Sequence, residues 1–250
     1  LIVDDSADLR KLIKDLFHDC YSVLLAENGD EGIKKAIEHV PDIIISDVMM
    51  PVKDGVALSQ TLKADERTSH IPIILLTAKA GEENELKGLE TGADEYMIKP
   101  FNNDILKVRV EKLIELRAQL RTRYSQEVVL RPQEIAISSV DENFLEKVQT
   151  ILETNLEKSD FTAEYFSKEI GMSRMQLHRK LKALVGLSTT EFIRSQRLKM
   201  AARLLTTSDV SVSEIGYAVG FNDPSYFAKC FKEGYGCTPT SFAAEARAKV

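Results

Sequence analysis

At 250 residues, with 44% hydrophobic and 29% charged side chains, the chain has an ordinary soluble balance and the length for two domains with their own cores. No apolar run approaches the roughly 20 residues that a membrane-spanning helix needs, and Leu1-Ile2-Val3 followed by acids is unlike a secretory signal. The formal charge of −6 is uneven: residues 1–117 hold 15 basic against 23 acidic side chains, whereas Ser167 to Lys232 holds 11 against 5, a local basic zone that points to nucleic acid.

In chain order, the first half alternates short apolar strands with amphipathic helices. Leu1–Val3 reads as the stump of a strand, and residues Ala7–Phe17 form a helix with Leu9, Leu12, Ile13 and Leu16 on one stripe. The pattern continues as Ser22–Ala26 (strand), Asp30–His39 (helix), Ile43–Ser46 (strand), Val56–Ala64 (helix) and Ile73–Thr77 (strand). Glu82–Thr91 (helix), Glu95–Ile98 (strand) and Asn103–Leu116 (helix) complete it. Five βα units in series predict a doubly wound, five-stranded parallel α/β domain of the flavodoxin-like kind.

Polar residues fall at the carboxyl ends of these strands: Asp4 and Asp5 after the first, Asp47 after the third, Thr77 closing the fourth, Lys99 after the fifth. In an open parallel sheet such positions share one crevice. A single Asp there reads equally well as a turn or cap residue; the set does not. Clustered carboxylates repel, and they relieve the repulsion by holding a hard cation, here Mg²⁺. A carboxylate beside Mg²⁺ and an ammonium can attack phosphorus, and the Thr77 hydroxyl and Lys99 ammonium suit the phosphoryl oxygens afterwards.

These residues resemble the receiver domain of two-component response regulators. The resemblance covers about residues 1–117 and rests on Asp4-Asp5, Asp47 with Met49 and Pro51, Thr77-Ala78, Gly92-Ala93-Asp94-Glu95-Tyr96 and Lys99-Pro100-Phe101. It implies that Asp47 accepts phosphoryl from a histidine kinase. It also implies that Asp5 and Asp47 ligate Mg²⁺, with Asp4 acting through water and Met49 through its backbone carbonyl. A cis bond before Pro100 and a switch pair of Thr77 and Tyr96 are implied as well. An Asp-nucleophile phosphatase is the enzyme rival, but such enzymes want an acid two residues after the nucleophile, and Met49 cannot act as one. The chain is therefore expected not to be an enzyme beyond receiver phosphoryl chemistry.

Residues 118–140 lose periodicity and read as a linker; Arg121, Arg123 and Arg131 flank Pro132, and Val128–Leu130 and Ile135–Ile137 are short apolar runs. From 141 to 250 the pattern is helical, with capping boxes opening at Ser173, Ser188 and Ser211, and an N-cap before proline at Asp223-Pro224 and Thr238-Pro239. Ile170-Gly171-Met172 parallels Val219-Gly220-Phe221, and about 50 residues separate Leu177 from Phe227, Gly186 from Gly236, and Phe192 from Phe242. Two helix-turn-helix units joined by a long helix, Thr190–Thr206, follow.

Helical wheels set Leu177, Leu181 and Leu184 toward the core, with Met175, His178, Arg179 and Lys182 opposite; in the second unit Phe227 and Phe231 face in, and Ser225, Ala228, Lys229 and Lys232 face out. Cations and hydrogen-bonding groups outward are what a major-groove reader needs. The three cysteines (Cys20, Cys230, Cys237) match no metal or redox spacing and read as packing residues of a reducing compartment.

About residues 141–243 resemble the AraC-type transcription-factor domain, most specifically in Ile215-Gly216-Tyr217-Ala218-Val219-Gly220-Phe221-Asn222-Asp223-Pro224-Ser225-Tyr226-Phe227, Phe231-Lys232 and Gly236-Cys237-Thr238-Pro239. Ala243 departs from the family's frequent Arg. The resemblance implies two recognition helices in successive major grooves, adding Arg174 and Asn222 to the DNA-contacting set. Together the halves resemble the C-terminal part of a hybrid two-component system. The expected function is a phosphorylation-controlled, sequence-specific DNA-binding transcription regulator, with activation rather than repression expected. A histidine kinase (separate or on the same polypeptide), double-stranded DNA, RNA polymerase and a second copy of the chain are the expected partners. The expected compartment is the cytoplasm, with membrane tethering if a sensor precedes. A receiver that only stores phosphate or docks proteins is the alternative class, disfavoured by the basic outward faces.

Overall fold

The computed structural model describes residues 1–78, 92–126 and 138–247. The chain divides into two compact units, the first built on Leu1–Tyr124 and the second on residues 145–182 and 186 onward. Among the described residues, no helix is long and apolar enough to cross a membrane.

In the first unit five strands, β1 (Ile2–Val3), β2 (Leu25–Ala26), β3 (Ile44–Asp47), β4 (Ile73–Thr77) and β5 (Glu95–Ile98), form one parallel sheet in the order β2-β1-β3-β4-β5. Alternation along the strands builds two cores. Val3, Ile44, Ile73 and Leu75 meet one cluster with Ala36, Leu58 and Leu62 from helices α2 (Gly29–His39) and α3 (Gly55–Ala64). Ile2, Ile45, Ile74 and Leu76 meet the other with Ile13 and Phe17 of α1 (Ala7–Phe17) and Leu106 and Val110 of α4 (Asn103–Gln126). Neighbouring apolar residues on a strand thus serve opposite faces, which is why each strand is apolar throughout. Chain direction across the sheet reverses between β1 and β3, so their carboxyl ends bracket a crevice.

Two boundaries differ from the sequence expectation by more than one residue. Strand β2 is confined to Leu25–Ala26 because its ladder can extend only as far as its partners Ile2 and Val3. Helix α4 runs to Gln126, ten residues past the expected end at Leu116. Loss of an apolar stripe does not end a helix. Ala118, Gln119, Leu120, Arg121 and Arg123 are good helix formers, and no Pro or Gly intervenes before Pro132. The expected helix Glu82–Thr91 and the runs Val128–Leu130 and Ile135–Ile137 lie outside the described residues.

From Ser139 on, the described chain is helical: α5 (Ser139–Asn155), α6 (Ala163–Ile170), α7 (Arg174–Val185), α8 (Thr189–Thr207), α9 (Val212–Ala218), α10 (Pro224–Tyr235) and α11 (Pro239–Arg247). The internal repeat is explicit in the backbone. Helices α7 and α10 are both 12 residues long and start 50 residues apart. Each is preceded and followed by a glycine in the left-handed region: Gly171 and Gly186 for the first, Gly220 and Gly236 for the second. Gly220 has the strictest requirement. At φ 90° a side chain would be strained, and its Cβ would lie 2.8 Å from both Leu156 O and Arg197 Nε.

Capping boxes at Ser173, Ser188 and Ser211 fix the starts of α7, α8 and α9. The hydroxyl and backbone N–H of Ser188 hold the Glu191 carboxyl below the usual carboxylate range. Helix α8 runs through the middle, burying Phe192, Ile193, Leu198, Ala201, Ala202 and Leu205. Phe166, Phe192, Phe227 and Phe231 are fully buried, worth about 2–3 kcal/mol each by area removed from water.

Candidate functional site

The crevice of the first unit holds the acids the sequence singles out. Asp4 leaves β1, Asp47 ends β3, and oxygens of Asp4, Asp5 and Asp47 lie within 4.8 Å of one another. Asp4 is 1% exposed and Asp47 8%, while Asp5 is open to solvent. From β5 comes Lys99, whose Nζ lies 2.9 Å from Asp47 Oδ1 and 3.1 Å from Asp4 Oδ2. Its backbone N–H donates to Thr77 O at 2.7 Å, and the Lys99–Pro100 bond is cis.

Each carboxylate has a different role available to it. Asp4 has both oxygens engaged, Oδ1 accepting the Ser6 N–H at 2.8 Å and Oδ2 facing Lys99. Lys99 engages Asp47 through Oδ1. Arg10 braces the β1–α1 turn, donating to Asp4 O at 2.7 Å and Asp5 O at 3.1 Å. Three clustered carboxylates against one ammonium, all hard oxygen donors, fit a divalent cation with waters retained. Asp5 and Asp47 are the residues suited to direct ligation, and Asp4 to contact through water.

Thr77 ends β4 beside this cluster, 8% exposed, in register with Ile98. Tyr96 is two residues earlier in β5 than Ile98, in register with Leu75, and it is half-buried against the core that includes Val48. Met49 is 68% exposed just after β3, in a loop where Val52 takes a left-handed backbone at φ 69°. The acids, Lys99 and Thr77 thus come together at strand ends, while Tyr96 sits in the sheet behind them.

In the second unit, the wheel assignments hold except at Arg179 and Ala228, which are half-buried. Leu177, Leu181 and Leu184 are buried in α7, and Phe227, Cys230 and Phe231 in α10. Arg174, Met175, His178, Lys182, Asn222, Ser225, Lys229 and Lys232 are exposed. Arg179 is half-buried and has an interaction of its own, so it is less free than an outward wheel position suggests.

Three residues escaped the sequence reading. Lys180 is fully buried, which the 3.6 period places on the flank of the Leu177–Leu181 stripe. Arg194 and Tyr226 meet across α8 and α10, Arg194 Nη1 donating to the Tyr226 hydroxyl at 3.5 Å. Their sequence signal was a cation on the joining helix and an exposed aromatic in the first turn of a reader helix.

Two family models match the chain: the response regulator receiver domain over residues 1–111 and a helix-turn-helix domain over 166–245. The chain is similar to Histidine kinase P4 of Formosa agariphila, with 43% identity over 242 residues, 97% of this chain and 18% of that protein. It is also similar to the phosphate regulon transcriptional regulatory protein PhoB of Pseudomonas aeruginosa, with 42% identity over 115 residues, 46% of this chain and 50% of that protein. The chain therefore spans half or less of these curated relatives. Among solved structures, the signal receiver domain of a signal transduction histidine kinase from Syntrophus aciditrophicus matches at 35% identity and TM-score 0.43, covering 46% of this chain and 87% of that one.

Proposed function

Because the chain belongs to the response regulator receiver family, with a helix-turn-helix domain of the AraC type behind the receiver, we propose that it is a phosphorylation-controlled, sequence-specific DNA-binding transcription regulator acting as an activator. The observation that carries this reading is Asp47 at a strand end, grouped with Asp4 and Asp5 and 2.9 Å from the Lys99 ammonium. The same chain bears two similar, outwardly cationic reader helices. We assign residues 1–117 to the phosphoacceptor domain and 141–250 to the DNA-binding domain.

In the proposed step, a carboxylate oxygen of Asp47 attacks phosphorus carried on a kinase histidine. The new O–P bond forms as the N–P bond breaks, and its electron pair returns to the imidazole. Mg²⁺ bound by Asp5, Asp47 and the Met49 carbonyl would offset charge on the phosphoryl oxygens. Lys99 holds Asp47 in place beforehand and pairs with the phosphoryl group afterwards, together with the Thr77 hydroxyl. Tyr96 turning inward behind Thr77 is the proposed second half of the switch. The kinase is either a separate protein or part of the same polypeptide. No catalysis beyond this phosphoryl chemistry is proposed.

The consequence proposed for DNA is mass action: phosphorylation promotes pairing of two copies, which presents two DNA-binding domains to paired sites and, at a promoter, to RNA polymerase. Sedimentation and DNA titration with and without a phosphoryl mimic and Mg²⁺ test it. The expected result is a heavier species and tighter binding with the mimic; identical sedimentation and affinity overturn it.

Contacts are separable by sequence dependence. Arg179→Ala is expected to cost about 1–3 kcal/mol on the specific duplex and little on a scrambled one. Lys232→Ala is expected to weaken both and lower the log–log salt slope by about one. Competition titrations on the two duplexes distinguish them, and equal losses for Arg179→Ala would reduce it to a phosphate contact.

A further inference from the structure

A cleft of about 680 Å³ opens in the helical unit between the two reader helices. Arg174 lines it from the first turn of α7, Asp223 and Tyr226 from the start of α10, and Thr190, Arg194 and Arg197 from α8. Arg197 is structural: it donates to the carbonyls of Leu156, Lys158 and Phe161 at 3.1, 2.7 and 3.4 Å, bracing one wall. Asp223 is likewise committed, accepting the Ser225 and Tyr226 N–H groups at 2.7 and 3.2 Å. Glu164 is the one other carboxylate on the wall. Arg174 and Arg194 form no ion pair among the described residues. The Tyr226 hydroxyl, 3.5 Å from Nη1, orients the Arg194 guanidinium.

We infer that this cleft seats the sugar–phosphate backbone of one of the two DNA strands bordering the minor groove between the two major grooves, with Arg194 as its phosphate contact and Tyr226 as a positioning residue. The inference rests on the DNA-binding reading and extends it to residues off the two reading faces. Three arguments carry it. Reader helices in successive major grooves about 34 Å apart leave the minor groove facing the space midway, roughly five base pairs from each centre, with one backbone of each strand along its edges. The cleft is roomy enough for a sugar with its phosphate, where a lone ion would leave it largely open. A guanidinium presents a planar fork matched to two phosphate oxygens, and Arg194, although it feels the Glu191 carboxylate one turn earlier on α8, forms no ion pair among the described residues.

The test uses the full chain and a set of specific duplexes, each with one neutral methylphosphonate linkage in the central base pairs of either strand. At one linkage, wild type is expected to lose about tenfold in affinity. Arg194→Ala is expected to lose about tenfold on the unmodified duplex, to lose nothing more at that linkage, and to show a log–log salt slope smaller by about one. Losses that multiply at every linkage overturn the inference, and so does a scan in which no linkage matters to wild type. Should Arg194→Ala lower the unfolding midpoint, Tyr226→Phe carries the same comparison at smaller amplitude with the ring retained. A wild-type chain that prefers no duplex over scrambled DNA sinks the underlying DNA reading instead, a result told apart by needing no variant.

Discussion

Asp47→Asn is expected to abolish Mg²⁺-dependent phosphoryl incorporation from acetyl phosphate or a cognate histidine kinase, a loss of at least about 10⁴-fold as for other deleted nucleophiles. The carboxamide is nearly isosteric, but it has no anionic oxygen to attack phosphorus and is a poorer ligand for a hard cation. The neighbouring acids cannot take over. Asp4 has both oxygens engaged, by the Ser6 N–H and by Lys99, and is 1% exposed. Asp5 is exposed, and the ammonium contacts are to Asp4 and Asp47.

The fold should tolerate the change within about 1 kcal/mol. It removes one carboxylate from a repelling cluster of three and one ion-pair partner from Lys99, two effects of opposite sign. Metal linkage supplies a second readout. Mg²⁺ at 100 times its Kd stabilises a protein that binds it only when folded by about 2.7 kcal/mol. Wild type should gain such a shift in unfolding midpoint and Asp47→Asn should lose most of it. A radiolabel that stays on Asp47→Asn, base-labile as an acyl phosphate is, would move the acceptor to another residue.

How legible this site was follows from how much of it is written in strand ends. The apolar runs Ile43–Ile45 and Ile73–Leu76 announce buried parallel strands, so the polar residue that ends each run must lie at the sheet's carboxyl edge. That reasoning brings Asp4, Asp47, Thr77 and Lys99 together without a distance. The helical half was legible through Ser173, Ser188, Ser211 and Asp223, whose caps place helix starts to within one residue.

What resisted were features that depend on tertiary neighbours. The length of β2 is set by its partner strand, and α4 continues on propensity after its apolar stripe has ended. The Arg194–Tyr226 contact joins residues 32 positions apart on different helices, and no periodicity within either helix encodes it. Gly55 belongs here too. In sequence it is one glycine after Asp54, with nothing to mark it as more than the start of a helix.

Gly55→Val is expected to destabilise the first unit by about 3 kcal/mol or more and to depress phosphoryl acceptance in whatever protein remains folded. Asp54 caps α3 by accepting the Ala57 N–H at 2.7 Å, and the Gly55 N–H then donates to Val48 O at 3.0 Å, pulling the first turn of the helix onto the end of β3. A Cβ at position 55 would stand 2.1 Å from Asp47 O, 2.9 Å from Asp47 C and 3.1 Å from Ser46 Oγ. The obstruction is backbone, so no rotamer relieves it; helix and strand must separate, and the separation falls on the residue that carries the nucleophile. Lys99 Nζ is 2.9 Å from Asp47 Oδ1, and a displacement of the strand end by even an ångström weakens that pair. Urea unfolding of wild type, Gly55→Ala and Gly55→Val should therefore give a graded series, with the phosphorylation rate falling in the same order. Variants within about 0.5 kcal/mol of wild type would mean that α3 does not approach β3 this closely.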